Sequence, residues 1–176
     1  MIVNSSPLII FGKINRLDLL IKVLKKIIIS EEVYKEVVVK GVEVNAPEAI
    51  LIKKYIDNKK IHIKSLESKW KKRLDLLKSV NISLDEGEAE TIVLALQEKE
   101  KIVIIDEKIA RQVAELNNLL PIGSLGVLLF AFRKKIIDEK EAGIIINDML
   151  KYKFRMGANV ISEFWTILST IKRNKS

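Results

Sequence analysis

Five short apolar runs, set between longer stretches of helical period, constrain this chain more than any other feature. They cover residues 1–3, 27–29, 61–63, 102–105 and 119–122, the last crossing Pro121. Rich in isoleucine and valine, each reads as a buried strand. Between them, Leu17, Leu20 and Leu24 recur on one helical face, as do Leu66, Trp70, Leu74 and Leu77. Ser5-Ser6-Pro7 marks a helix start, with Gly12 expected to break or bend that helix. Ser30 caps a predicted helix over 31–39, and a turn follows over 41–46. Pro47 opens a helix to 58, and the next runs over 65–80. Ser83 and Glu86 have capping-box spacing ahead of a helix to 99. Further helices are predicted over 107–116, 124–135, 138–152 and 158–173. Strands alternating with helices pair in parallel through right-handed crossovers, so the fold class is α/β, a layered sandwich around a five-stranded parallel sheet.

The chain has 176 residues, enough to bury a full core, and shows no linker, repeat or low-complexity tract. The expected organisation is one layered domain over 1–135, with residues 136–176 as a helical extension packed on it. The absence of cysteine excludes disulfides, thiolate zinc sites and cysteine nucleophiles. The opening MIVNSSPLIIFGK lacks the basic n-region and unbroken apolar core of a secretory signal. The apolar run over 125–132 is too short to span a bilayer. A cytoplasmic protein with no membrane partner is expected.

Ligands of open parallel sheets bind beyond the carboxyl ends of the strands. The first strand delivers Asn4 there, followed by Ser5 and Ser6, and the fourth delivers Asp106 and Glu107. Glu88 opens the helix that leads into the fourth strand, and Glu36 lies beside the core-facing Val33 and Val37. Converging carboxylates need a counter-charge, and oxygen-rich sets suit hard cations such as Mg2+ or Mn2+. Such ions polarise a phosphodiester and activate water for in-line attack. Each residue also has a plainer reading: Glu36 as a surface glutamate, Asp106 as the cap of the next helix, Asn4 as a turn residue. Glu86 is assigned to the helix cap and Glu90 to a solvent face. The single histidine, His62, sits between two isoleucines and is assigned to packing, as are Trp70 and Trp165.

The net charge of +8 is concentrated: residues 53–78 hold ten cations against three anions. Such a block is either a solvated face or an electrostatic footprint for a polyanion. Lys69, Lys71, Lys72 and Arg73 are its densest part and the candidate nucleic-acid contacts. A small-molecule or signalling α/β domain fits less well, because no G-x-G-x-x-G or P-loop follows the first strand.

VNSSPLI after the first strand, VYKEV after the second, LDEGEAETIVLA, and IVIIDEKIARQVAE followed by IGSLGVLL together resemble the PIN domain family. The closest likeness is to prokaryotic PIN-containing nucleic-acid-binding proteins related to VapC-like toxins, over residues 1–135. The resemblance implies a PIN-like three-layer α/β/α sandwich, strand order 3-2-1-4-5 and extra C-terminal helices. It also implies Mg2+- or Mn2+-dependent hydrolysis of single-stranded RNA, leaving 5′-phosphate and 3′-hydroxyl ends. The family's acids fall on Glu36, Glu88 and Asp106, and its first aspartate falls on Asn4, a neutral residue. Ser6, Glu107 and Ser124 fall in supporting positions. A toxin role, a small antitoxin protein as partner and a homodimer follow by the same likeness. The alternative is a PIN-fold RNA-binding protein with weak or no catalysis, since Asn4 carries no charge.

Overall fold

The computed structural model describes residues 1–80 and 83–173; residues 174–176, which close the expected extension, lie outside them. The first half runs β1 (Ile2–Val3), α1 (Ser5–Lys13), α2 (Leu17–Leu24), β2 (Ile27–Ser30), α3 (residues 31–43), α4 (Pro47–Asp57) and β3 (Ile61–Lys64). It continues through α5 (Ser68–Val80), α6 (Glu86–Gln97), β4 (Ile102–Ile104), α7 (Lys108–Leu116), β5 (Leu120–Ile122), α8 (Ser124–Arg133), α9 (Glu139–Lys151) and α10 (Ala158–Arg173). The five strands form one parallel sheet in the order β3-β2-β1-β4-β5.

Period-two alternation decides which helices lie on which face. Val3, Ile27, Ile29 and Ile104 point into a core shared with α1 to α4 and α8 to α10. Ile2, Ile28, Val103 and Ile105 point the other way, into a core shared with α5, α6 and α7. The result is a three-layer α/β/α sandwich. Ile145, Met149, Phe164 and Leu168 of the last two helices lie in the first core beside Val3 and Ile104.

Pro121 sits in β5 without cost because β5 is an edge strand. Its neighbours serve the ladder: Leu120 N–H donates to Lys101 C=O at 2.7 Å, and Ile122 C=O accepts from Ile105 N–H at 3.0 Å. The missing N–H of Pro121 faces the open edge. The opposite edge corrects the expectation for His62, which is exposed rather than packed, as is Ile63. As the other edge strand, β3 leaves that part of its length uncovered. Trp70 and Trp165 do pack against the two cores, Trp165 edge-on to Phe164 with ring centroids 5.1 Å apart.

Two helix expectations change. Gly12 does not interrupt α1, which continues to Lys13. Its role is close approach: a Cβ added there would stand 2.9 Å from Glu48 Cβ on α4. The helix after β2 does not stop at 39. It passes through a π-helical stretch, Lys35–Lys40, and ends on Gly41–Glu43. Single π turns inside helices accompany functional sites, and this one carries Glu36. Overpacking at a close helix crossing costs about 1–3 kcal/mol, so Gly12→Val is expected to lower unfolding free energy by about that amount in denaturant titration. Unchanged stability would show that α1 and α4 are not held at this distance.

Candidate active site

The strand order reverses between β1 and β4, where the chain leaves for helices on opposite faces and opens a crevice at the strands' carboxyl ends. Asn4 sits at that point on β1, and its N–H extends the ladder to Ile104 C=O at 2.9 Å. Asp106 and Glu107 follow β4. The N-terminus of α6 brings Glu88 to the same place. A cleft of about 760 Å³ opens over Glu88, Asp106 and Glu107, with Ser6, Lys13 and Lys108 on its walls.

Glu36, Glu107 and Asp106 are each held by donors from another part of the chain. Ser5 Oγ donates to Glu36 Oε2 and Ser6 Oγ to Glu107 Oε1, both through short hydrogen bonds. Asn4 Nδ2 donates to Glu107 Oε2 at 3.3 Å, while Thr91 Oγ1 donates to Asn4 Oδ1 at 3.3 Å. That amide orientation suits both neighbours: the NH2 end donates to the Glu107 oxygen, and the carbonyl end accepts from the Thr91 hydroxyl. Ser124 donates to both oxygens of Asp106, from its N–H and its hydroxyl, each at 2.7 Å. Asp106 therefore does not cap α7, the helix that follows it. It binds the first turn of α8 instead. Gly123 makes this possible, because a Cβ there would stand 3.0 Å from both Asp106 Oδ1 and Arg111 Nη1.

The cap of α6 also differs from expectation. The capping box pairs Asp85 with Glu88, not Ser83 with Glu86: Glu88 N–H donates to Asp85 Oδ1 at 2.7 Å and Asp85 N–H to Glu88 Oε2 at 3.0 Å. Glu86 turns outward to Lys78 at 3.0 Å. Glu90 is not on a solvent face, since it accepts the Glu32 N–H at the start of α3 at 2.7 Å. The cap thus uses one oxygen of Glu88 and leaves the carboxyl at the cleft.

Burial, then the charges of Asp85, Glu107 and Glu36, push the Glu88 carboxyl up to about 7, against the lowering effect of the Asp85 N–H. The Asp106 residue keeps some exposed surface, but its carboxyl is enclosed, and that burial pushes it up to about 6. The charge of Glu107 adds to the rise, while the two Ser124 donors and Arg111 oppose it. Burial and neighbouring negative charge both disfavour the ionised carboxyls, and a cation would relieve both effects.

A family model for the PIN domain matches residues 1–170, nearly the whole described chain and both C-terminal helices. The chain belongs to the PIN domain family. No curated protein and no solved structure matches it. PIN domains are in general nucleases that bind nucleic acid and depend on divalent metal. The donor chemistry of this PIN domain fits such an ion, being made of oxygen ligands with unbalanced negative charge. Among the described residues, however, no three acidic or histidine side chains are already gathered at the spacing of one coordination sphere. Asp106 is turned to Ser124, and Glu36 and Glu107 to the serines after β1.

The structure thus brings Asn4, Ser6, Glu88, Asp106, Glu107 and Ser124 together, with Glu36 close enough to act on Glu88 through its charge. It does not bring Lys69, Lys71, Lys72 and Arg73 there. Arg73 donates to Asn117 at the C-terminal end of α7 at 2.9 Å, and Glu67 N–H donates to Gln97 at the C-terminal end of α6. Those ends lie about 14 Å along the helices from Glu88 and Lys108 at 1.5 Å per residue. Lys78, at the far end of α5, reaches the start of α6 through Glu86. In the sequence reading Ser5 follows Asn4 without a role, and Thr91, Arg111 and the cleft wall at residues 152–155 are not expected. Thr91 was findable, being one helical turn from Glu88 on the same face.

The raised Glu88 carboxyl sets a pH dependence with a definite sign. The folded protein holds this proton up to about 7, whereas the ordinary value is 4.5. Between those values the unfolded chain binds fewer protons, so stability falls as pH rises through the window. In EDTA, the thermal midpoint is expected to drop between pH 5 and pH 7.5, and the drop to be smaller in Glu88→Gln. The glutamine keeps an oxygen for the capping box. Equal slopes for the two proteins would contradict the crowding of Glu88.

Proposed function

We propose that this PIN domain is a Mg2+- or Mn2+-dependent endoribonuclease acting on single-stranded RNA, the toxin of a type II toxin–antitoxin pair. The observation that carries the reading is the crowding of Glu36, Glu88, Asp106 and Glu107 around the switch point of a PIN fold. Glu36, Glu88 and Asp106 would hold the ion, with Glu107 beside them. Asn4 completes the site indirectly: its oxygen is taken by Thr91, and its NH2 group positions Glu107. A bound divalent ion supplies Lewis-acid polarisation of the phosphodiester and activation of water.

The protein's own groups do the rest. Ser5, Ser6 and Ser124 keep three carboxylates oriented, and rotation of their hydroxyls would free the oxygens they hold for a bound ion. Lys13 and Lys108 on the cleft wall attract the phosphate backbone toward acids that would otherwise repel it. The basic run Lys69, Lys71, Lys72 and Arg73 would engage a distal stretch of a long RNA. A small antitoxin protein and a homodimer belong to this proposal through the family likeness alone.

A second reading, RNA binding with weak or no cleavage, is favoured by one observation: Asp106 already satisfies both oxygens on Ser124 and lies by Arg111. The two readings separate on mixed single-stranded RNA with Mn2+. Weak, EDTA-sensitive cleavage leaving 5′-phosphate ends is expected, lost in Glu88→Gln and in Asp106→Asn. Asn4→Asp frees Glu107 and adds a charge, and should raise the rate by about tenfold or more, the scale of changes around a metal site. Cleavage persisting unchanged in Glu88→Gln removes the site, and RNA bound but never cut supports the second reading. Charge reversal at Lys71, Lys72 and Arg73 should weaken binding of long RNA and flatten its salt dependence.

A further inference from the structure

One wall of the acidic cleft comes from the far end of the chain. Tyr152, Lys153, Phe154 and Arg155, in the segment joining α9 to α10, line the same space as Glu88, Asp106 and Glu107. A second hollow of about 650 Å³, between α8 and α10, shares Asp106, Lys108, Phe154 and Arg155 with the first. The two hollows therefore meet at this strap, beside Asp106.

The strap is anchored. Lys153 N–H donates to Leu150 C=O at 2.9 Å and Phe154 N–H to Met149 C=O at 3.0 Å, closing the end of α9. Lys153 takes the left-handed conformation, φ 58°, that this closure needs. Phe154 packs against the first core, so the neighbouring Tyr152 and Arg155 are presented from a fixed base. Tyr152 is 53% exposed.

The charge here is not consumed by the chain. Most lysines in ion pairs sit on helix faces, and Lys13 at the cleft edge pairs with Glu48 at 3.7 Å. Lys108, Lys153 and Arg155 are exposed and have no ion-pair partner among the described residues. Free cations alternating with aromatic rings fit a ligand that is anionic along its length and offers flat faces between its charges. That describes an unpaired nucleic-acid strand, because a duplex hides its base faces in the stack.

We propose that residues 152–155, together with Lys108, seat single-stranded RNA across the acidic cleft, the cations on phosphates and the Tyr152 ring against an unpaired base. The inference rests on the RNA reading above, and it names the element that holds the substrate at the site. It does not depend on a metal, so it can be tested where the nuclease is silent.

The experiment is fluorescence anisotropy of a labelled single-stranded 12-nucleotide RNA with the full chain carrying Glu88→Gln, in EDTA, over a salt series. Arg155→Ala and Lys108→Ala, added singly, should each weaken binding and reduce the steepness of the log K against log salt plot by about 0.7. Tyr152→Leu keeps apolar cover on the exposed site and should weaken binding at least about fivefold with the salt slope unchanged. The matching RNA duplex should bind more weakly than the single strand. Unaltered affinity in the strap variants, or loss confined to variants of Lys71, Lys72 and Arg73, overturns the inference. Strap-dependent binding by a protein that never cleaves RNA overturns the nuclease reading and leaves this one standing. No measurable binding to RNA overturns both.

Discussion

Mutual repulsion among carboxylates is the constraint on which the rest of this structure depends. Two unit charges 4 Å apart cost about 4 kcal/mol at an effective dielectric of 20; here Glu88, Asp106 and Glu107 line one cleft, and Glu36 is near enough to act on Glu88 through its charge. Separate elements converge to hold them: Ser5 and Ser6 after β1, Ser124 at the start of α8, and the backbone of Asp85 before α6. A hydrogen bond to a charged group contributes about 1.5–3 kcal/mol, so a set of such donors offsets repulsion of this size. At Glu88 burial, and after it the charges of Asp85, Glu107 and Glu36, still push the carboxyl up to about 7. The fold carries this tension at the switch point, where the crevice is already open.

Asn4 is the hub of that arrangement. It is 3% exposed, bonded on one side to Thr91 and on the other to Glu107. A carboxylate in its place could accept from Thr91 but would face Glu107 with like charge. The amide therefore trades a charge at the centre of the site for a link that fixes a neighbouring acid. That exchange connects the local chemistry of one residue to the weak activity expected of this PIN domain.

Much of the fold was legible because its signals are local. Isoleucine-rich runs of three or four residues between helical periods give the strands, and a parallel α/β order follows from their alternation. What failed depended on tertiary partners. Gly12 looks like a breaker in isolation and proves to be a contact point, because Glu48 packs against it. His62 looks buried by its neighbours and is exposed, because β3 is an edge. Two capping boxes were possible before α6, and the one that formed uses Glu88. The acids could be listed from strand ends, whereas supporting roles for Ser6 and Ser124 came only through the family resemblance: nothing near Asp106 in the chain pairs it with Ser124, eighteen residues on. The basic block lies away from the cleft, beside the C-terminal ends of α6 and α7. Charge density along a sequence says nothing of distance from a cleft, and the cations that line it, Lys13, Lys108, Lys153 and Arg155, are scattered through the chain.

Mn2+ binding followed by electron paramagnetic resonance tests, without any substrate, whether the crowded acids hold a cation. The free Mn2+ signal should be depleted saturably by the protein at pH 7.5, with depletion sharply weakened in Glu88→Gln. Equal depletion by both proteins, or none by the parent, would contradict cation binding by these acids.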